Sequence, residues 1–142
     1  GAQGVRALRG CSALCDLHMS CNVIGDEGAT GLADILRGCR KSVSELTLGG
    51  CRIGNVGATQ LAEALGGCAA LRRLTLFSNS IGDEGASQLA DALAGSLALT
   101  HLGLNWNQLG DQGVGRVAEA LVSCERMEHL GLIFQLQPNG SR

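Results

Sequence analysis

Four residues able to do chemistry recur at one interval. Glu45, Arg73, His101 and His129 are each separated from the next by 28 positions. If that interval is a structural period, the four form one column, and two imidazoles side by side are a candidate for zinc. Two ligands fall short of the three or four that zinc takes, and Arg73 in the same column repels a cation. No metal site is therefore expected, and a polar strip with a cross-strand Glu45–Arg73 pair is the plainer reading. A second group keeps the same interval: Phe77, Asn105 and Ile133 in one column, Ser78, Trp106 and Phe134 in the next. With two Phe, one Trp and no Tyr in the chain, these columns gather every aromatic side chain. Exposed Trp and Phe are common anchors of protein interfaces. The candidate partner-binding residues are thus Phe77, Trp106, Arg73, Asn105, His101, His129 and Phe134. The competing reading is that the large side chains pack on each other.

Other chemistry is poorly supported. Arg40-Lys41-Ser42 resembles the end of a P-loop, but Arg40 stands where the glycine belongs and the G-x-x-x-x-G frame is missing. Asp34, Glu63, Asp91 and Glu119 sit one period apart, too far to close on calcium, and read as a solvated outer face. No Ser/His/Asp or Cys/His set shares a pocket, so no catalytic residue and no cofactor is expected. A net charge of −2 gives no field to gather polyphosphate, so nucleic acid is not an expected partner. The apolar runs are too short to span a bilayer. Seven cysteines are an odd number without a CxxC pair. Cys11, Cys39, Cys68 and Cys124 share one phase, which spaces them roughly 9–10 Å apart on packed helices, beyond disulfide reach. They read as reduced, buried thiols of a cytoplasmic protein.

The elements that position these residues repeat as well. Units start at Leu14, Val43, Leu71, Leu99 and Met127, giving complete repeats at residues 14–42, 43–70, 71–98 and 99–126. A partial unit covers 1–13, and an incomplete one covers 127–142, failing after Phe134. The whole chain, 1–142, reads as a single domain, and its Gly-Ala-Gln-Gly start suggests a fragment. Each unit opens with leucines alternating with polar residues, as in Leu74/Leu76 and Leu102/Leu104, the pattern of a strand buried on one face. Asn22, Cys51, Asn79 and Asn107 follow where the chain must turn, and Gln135 stands in that column as a sign that the pattern is breaking down. A buried Asn can satisfy backbone groups left unpaired by a turn. The second half carries an i, i+3, i+4, i+7 helical stripe, such as Ala86/Leu89/Ala90/Leu93. Asp26, Asn55, Asp83 and Asp111 are placed to cap these helices, and Gly38, Gly67 and Gly95 to end them.

The L-x-x-L-x-L-x-x-N/C-x-L pattern with a period of 28–29 resembles the ribonuclease-inhibitor-like class of leucine-rich repeats. The run from Asn79 to Leu93, NSIGDEGASQLADAL, is similar to repeats of NOD-like receptors and of the Ran GTPase-activating protein. The resemblance implies an α/β, right-handed solenoid forming a horseshoe arc, with a parallel β-sheet on the concave face and α-helices on the convex face. It also implies a non-catalytic scaffold that holds a partner protein on the concave face. The alternatives are a GTPase-activating regulator or the ligand-sensing repeats of a NOD-like receptor. Without capping segments, the end repeats expose apolar surface, and self-association through those ends is expected.

Overall fold

A computed structural model describes residues 1–11, 13–133 and 135–136 of the 142. Five short strands, β1 (Asp16–His18), β2 (Glu45–Thr47), β3 (Arg73–Thr75), β4 (His101–Gly103) and β5 (His129–Gly131), lie side by side in sequence order in one parallel sheet. A helix follows each of the first four: α2 (Gly25–Gly38), α3 (Asn55–Leu65), α4 (Asp83–Leu93) and α5 (Asp111–Leu121). The short α1 (Ala2–Arg6) packs at the head of the row, with Val5 fully buried. Parallel strands need a long crossover, and the helix half of each repeat supplies it. Strands stack at about 4.8 Å whereas packed helices need about 9–10 Å. The row must therefore bend with the sheet on its inner side.

The register agrees with the column reading. Glu45 pairs with Arg73, Arg73 with His101 and His101 with His129, while Leu46, Leu74, Leu102 and Leu130 form the alternate, core-facing column. The core is aliphatic: Leu46, Leu48, Leu74, Leu76, Leu104 and the helix residues Leu32, Leu61 and Leu89 are fully enclosed. Each contributes about 1.5–3 kcal/mol by leaving water. The enclosure thins at the last repeat, where Ala118 is exposed and Leu130 and Ile133 are 40% and 62% exposed.

Two polar columns stitch the repeats together. The amide of Asn79 accepts from the backbone N–H groups of Cys51 and Ile53, both at 3.0 Å, and donates to the carbonyls of Leu48 and Leu76. Asn107 does the same one repeat on, accepting from Ile81 and donating to Leu76 and Leu104. Gln135 does not mark a breakdown of this column. Its amide accepts from Leu109 and donates to Leu104 and Leu132, so one more methylene still reaches the same sites. Cys51 fills the donor half through Sγ–H to the carbonyls of Met19 and Gly49, but it offers no amide oxygen. Ile24 N–H turns instead to the Asn22 carbonyl, Ile24 adopts helical angles, and α2 starts early.

The acidic column works differently from the expectation. Asp26, Asn55 and Asp83 do not cap their own helices, whose N-caps lack side-chain bonds. Each reaches forward to the next one. Asp26 Oδ1 accepts from Gly54 and Gly57 N–H at 2.7 and 2.9 Å, Asn55 from Gly82 and Gly85, and Asp83 from Gly110 and Gly113. Glycine is required in that first turn because a Cβ on Gly57 would sit 2.6 Å from the Asp26 carboxylate. Of the three expected helix-ending glycines, only Gly95 takes the left-handed conformation (φ 71°). Gly38 is still helical, and Gly67 follows a C-cap at Gly66.

The cysteines also depart in part. All seven are free, and Cys39, Cys51, Cys68 and Cys124 are buried, with burial pushing the Cys51 and Cys68 thiols up from their usual range. Cys11, Cys15 and Cys21 are exposed, and Cys15 and Cys21 stand in columns whose other members include the exposed Arg72, Glu128, Ser78 and Trp106. The outer carboxylates are exposed as expected but paired. Arg37 bridges Asp34 and Glu63, and Arg116 bridges Asp91 and Glu119, contacts worth little in water.

Candidate protein-interaction face

The strands hold every second side chain on the sheet face, and the register brings Arg73, His101 and His129 into line. Arg73 is half-buried, and its Nε lies 3.7 Å from the Glu45 carboxylate, the expected cross-strand pair. His101 is half-buried and His129 exposed, with ring centroids 4.4 Å apart and planes tilted by 38°. Lost hydration pushes the His101 imidazole below its usual range, and the Arg73 and His129 charges add to this. The imidazole is therefore neutral at neutral pH. These three residues, with Thr75, Asn105 and Glu128, line an open depression of about 400 Å³. A groove of about 330 Å³ between the ends of α3 and α4 is lined by aliphatic and backbone groups, with Cys68 its only ionisable member, and offers no comparable chemistry.

The aromatic columns lie just past the strands. Phe77 is half-buried, with its ring laid over Gly49 in the space a Cβ would need. Trp106 is 38% exposed. It does not project from the strand as a pleat residue, since Cys21, Gly50, Ser78 and Trp106 all occupy the left-handed region (φ 63°, 65°, 53° and 58°). Each donates its N–H to the seventh-position carbonyl of the next repeat, Trp106 to Ile133 at 3.0 Å, and then the chain must turn. Glycine makes that turn without strain, whereas a side-chain-bearing residue costs about 1 kcal/mol. Asn105 is half-buried. Its amide oxygen accepts from Ile133 N–H at 2.8 Å, and its side chain covers Gly131. Phe134 lies outside the described residues.

Glu128 is the residue that column reading missed. It occupies the second position of its repeat, one before the strand, where its counterparts are Cys15, Ser44, Arg72 and Thr100. A column drawn one position earlier contains it. Among the described residues, His101, Glu128 and His129 form one group of potential ligand atoms, all within 4.8 Å of one another.

The leucine-rich repeat model matches residues 10–33, 41–62, 67–90 and 97–118, more than half of the chain. The chain belongs to the leucine-rich repeat family. Its matched segments coincide with the strand–turn–helix units, and leucine-rich repeats generally mediate protein–protein interaction. No curated protein matches the sequence. Among the described residues, no helix is long and apolar enough to cross a membrane.

Proposed function

We propose that this leucine-rich repeat protein is a ribonuclease-inhibitor-like scaffold that docks a partner protein on the inner, sheet face, with Trp106 and Phe77 as its anchors. Trp106 carries the reading. It is a large aromatic residue kept partly exposed at a left-handed position, where Gly50 makes the same turn two repeats earlier without strain. Backbone strain retained under a bulky residue is characteristic of binding sites, and Trp is the side chain most enriched among interface hot spots. Phe77 extends the anchor along the neighbouring repeat, while Arg73 and the histidine pair supply a polar rim beside it.

The test compares proteins retained by immobilised wild type, by the Phe77→Ala/Trp106→Ala double variant, and by Val122→Ser on the helix side, where Val122 is 86% exposed. Bands common to wild type and Val122→Ser should disappear with the double variant. Equal retention by all three chains places binding elsewhere.

A further inference from the structure

We propose that His101, Glu128 and His129 form a zinc-binding site on the sheet face, a role that goes beyond the docking reading and does not depend on it. Two imidazoles and one carboxylate are ligands that zinc takes, and three protein ligands with an open fourth position is the arrangement of non-structural zinc sites. The backbone brings them together. The Thr100 carbonyl accepts from both Glu128 N–H at 2.9 Å and His129 N–H at 3.0 Å, which ties that pair to the strand bearing His101.

Thr100 is placed to fix the tautomer of His101. With the hydroxyl hydrogen on the Arg72 carbonyl 3.0 Å away, the oxygen accepts at its 2.8 Å contact with His101 Nδ1. In that arrangement Nδ1 carries the proton, and the lone pair is left on Nε2. A histidine held through one ring nitrogen with the other free is the arrangement found in metal ligation. Bonds of about 2.0–2.1 Å put the ligand atoms of a tetrahedral site roughly 3.3 Å apart. The group lies within 4.8 Å, and Glu128 and His129 are exposed, so side-chain rotation closes it without moving the strands. Arg73 lines the same depression and opposes a cation, although Glu45 offsets part of its charge.

The experiment titrates the full, reduced chain with zinc by calorimetry and with cobalt by visible absorption, and follows the histidine ring signals by NMR. The expected result is one zinc per chain, with the ring signals of His101 and His129 shifted and those of His18 unmoved. Glu128→Gln and His129→Gln should each weaken binding about tenfold or more, and Thr100→Val about tenfold through the freed tautomer. Arg73→Gln should tighten it. Circular dichroism checks that each variant keeps its fold. The proposal is overturned if zinc does not bind, if the variants bind as wild type does, or if a thiolate–cobalt charge-transfer band shows that the exposed cysteines hold the metal.

Discussion

Replacing Asp83 by alanine tests the forward-reaching cap, and the molecule carries its own controls. Asp83 Oδ1 accepts two N–H groups of the next repeat, Gly110 at 2.7 Å and Gly113 at 2.9 Å. Asp83 is half-buried and Gly113 is buried, so water replaces these bonds poorly once the carboxylate is gone. Loss of a side-chain cap costs about 0.5–2 kcal/mol, and bonds to a charged acceptor lie at the upper end of the usual range. Asp83 also stands in the first turn of α4, where a negative charge gains about 0.3–1 kcal/mol from the helix dipole. Asp111 shares that position in α5 but caps no following helix among the described residues. Asp111→Ala therefore removes the dipole contribution alone, about 0.5 kcal/mol, and Asp83→Ala about 2.5 kcal/mol. The difference, about 2 kcal/mol, corresponds to roughly 6 °C in Tm for a chain of this size. Asp83→Asn should keep most of the stability, because Asn55 makes the same two bonds at 2.8 and 3.0 Å with a neutral amide. Urea and thermal unfolding of the three variants give the values. Equal losses for Asp83→Ala and Asp111→Ala would refute the cap across repeats. A loss for Asp83→Asn as large as for Asp83→Ala would show that charge, not geometry, matters.

Three further expectations concern particular side chains. Because Trp106 has φ 58°, Trp106→Gly should unfold at higher denaturant than Trp106→Ala, by about 1 kcal/mol, reversing the usual order of these residues. In the native chain a thiol reagent should modify Cys11, Cys15 and Cys21 rapidly and the other four only on unfolding, counted by mass spectrometry. The buried Cys51 and Cys68 are held protonated, so on raising the pH the unfolded chain loses these protons first. Stability should therefore fall as pH rises past the ordinary thiol range, read as a drop in the urea midpoint.

The period, the strand phase and the line of Glu45, Arg73, His101 and His129 were legible in the sequence because a strand alternates strictly and the repeat is constant. What was not legible depends on where a side chain points after the chain turns. An Asp in a helical first turn is a reasonable cap for its own helix by local rules. Only the stacking of repeats shows that the following helix end lies closer to its carboxylate. Gln135 read as a failed Asn because sequence rules compare types, whereas the site needs only an amide within reach. The left-handed turn at Trp106 could not be read from its column, because Cys21, Ser78 and Trp106 carry side chains where only Gly50 signals a positive φ. Glu128 escaped because the column count began at the strand, although the loop residue before it lies beside His101 of the preceding repeat. Cys11 shares a phase with the buried Cys39, Cys68 and Cys124 but is exposed, so a column's phase alone does not decide burial.

The paired stitching has a consequence for how such a protein can change length over generations. The junction between the third and fourth units is closed from both sides, by Asp83 of the earlier unit and the Asn107 amide of the later one, and Asn55 with Asn79 closes the junction before it in the same way. A unit that carries both residues brings a complete set of connections wherever it is copied in register. Duplicating such a unit leaves no new polar group unsatisfied, and deleting one joins two neighbours that already fit. A gain or loss out of phase would instead separate Asp83 from Gly110 and Gly113, and Asn107 from Ile81. Genetic changes that keep the period are therefore tolerated at the junctions, and those that break it are selected against on stability alone.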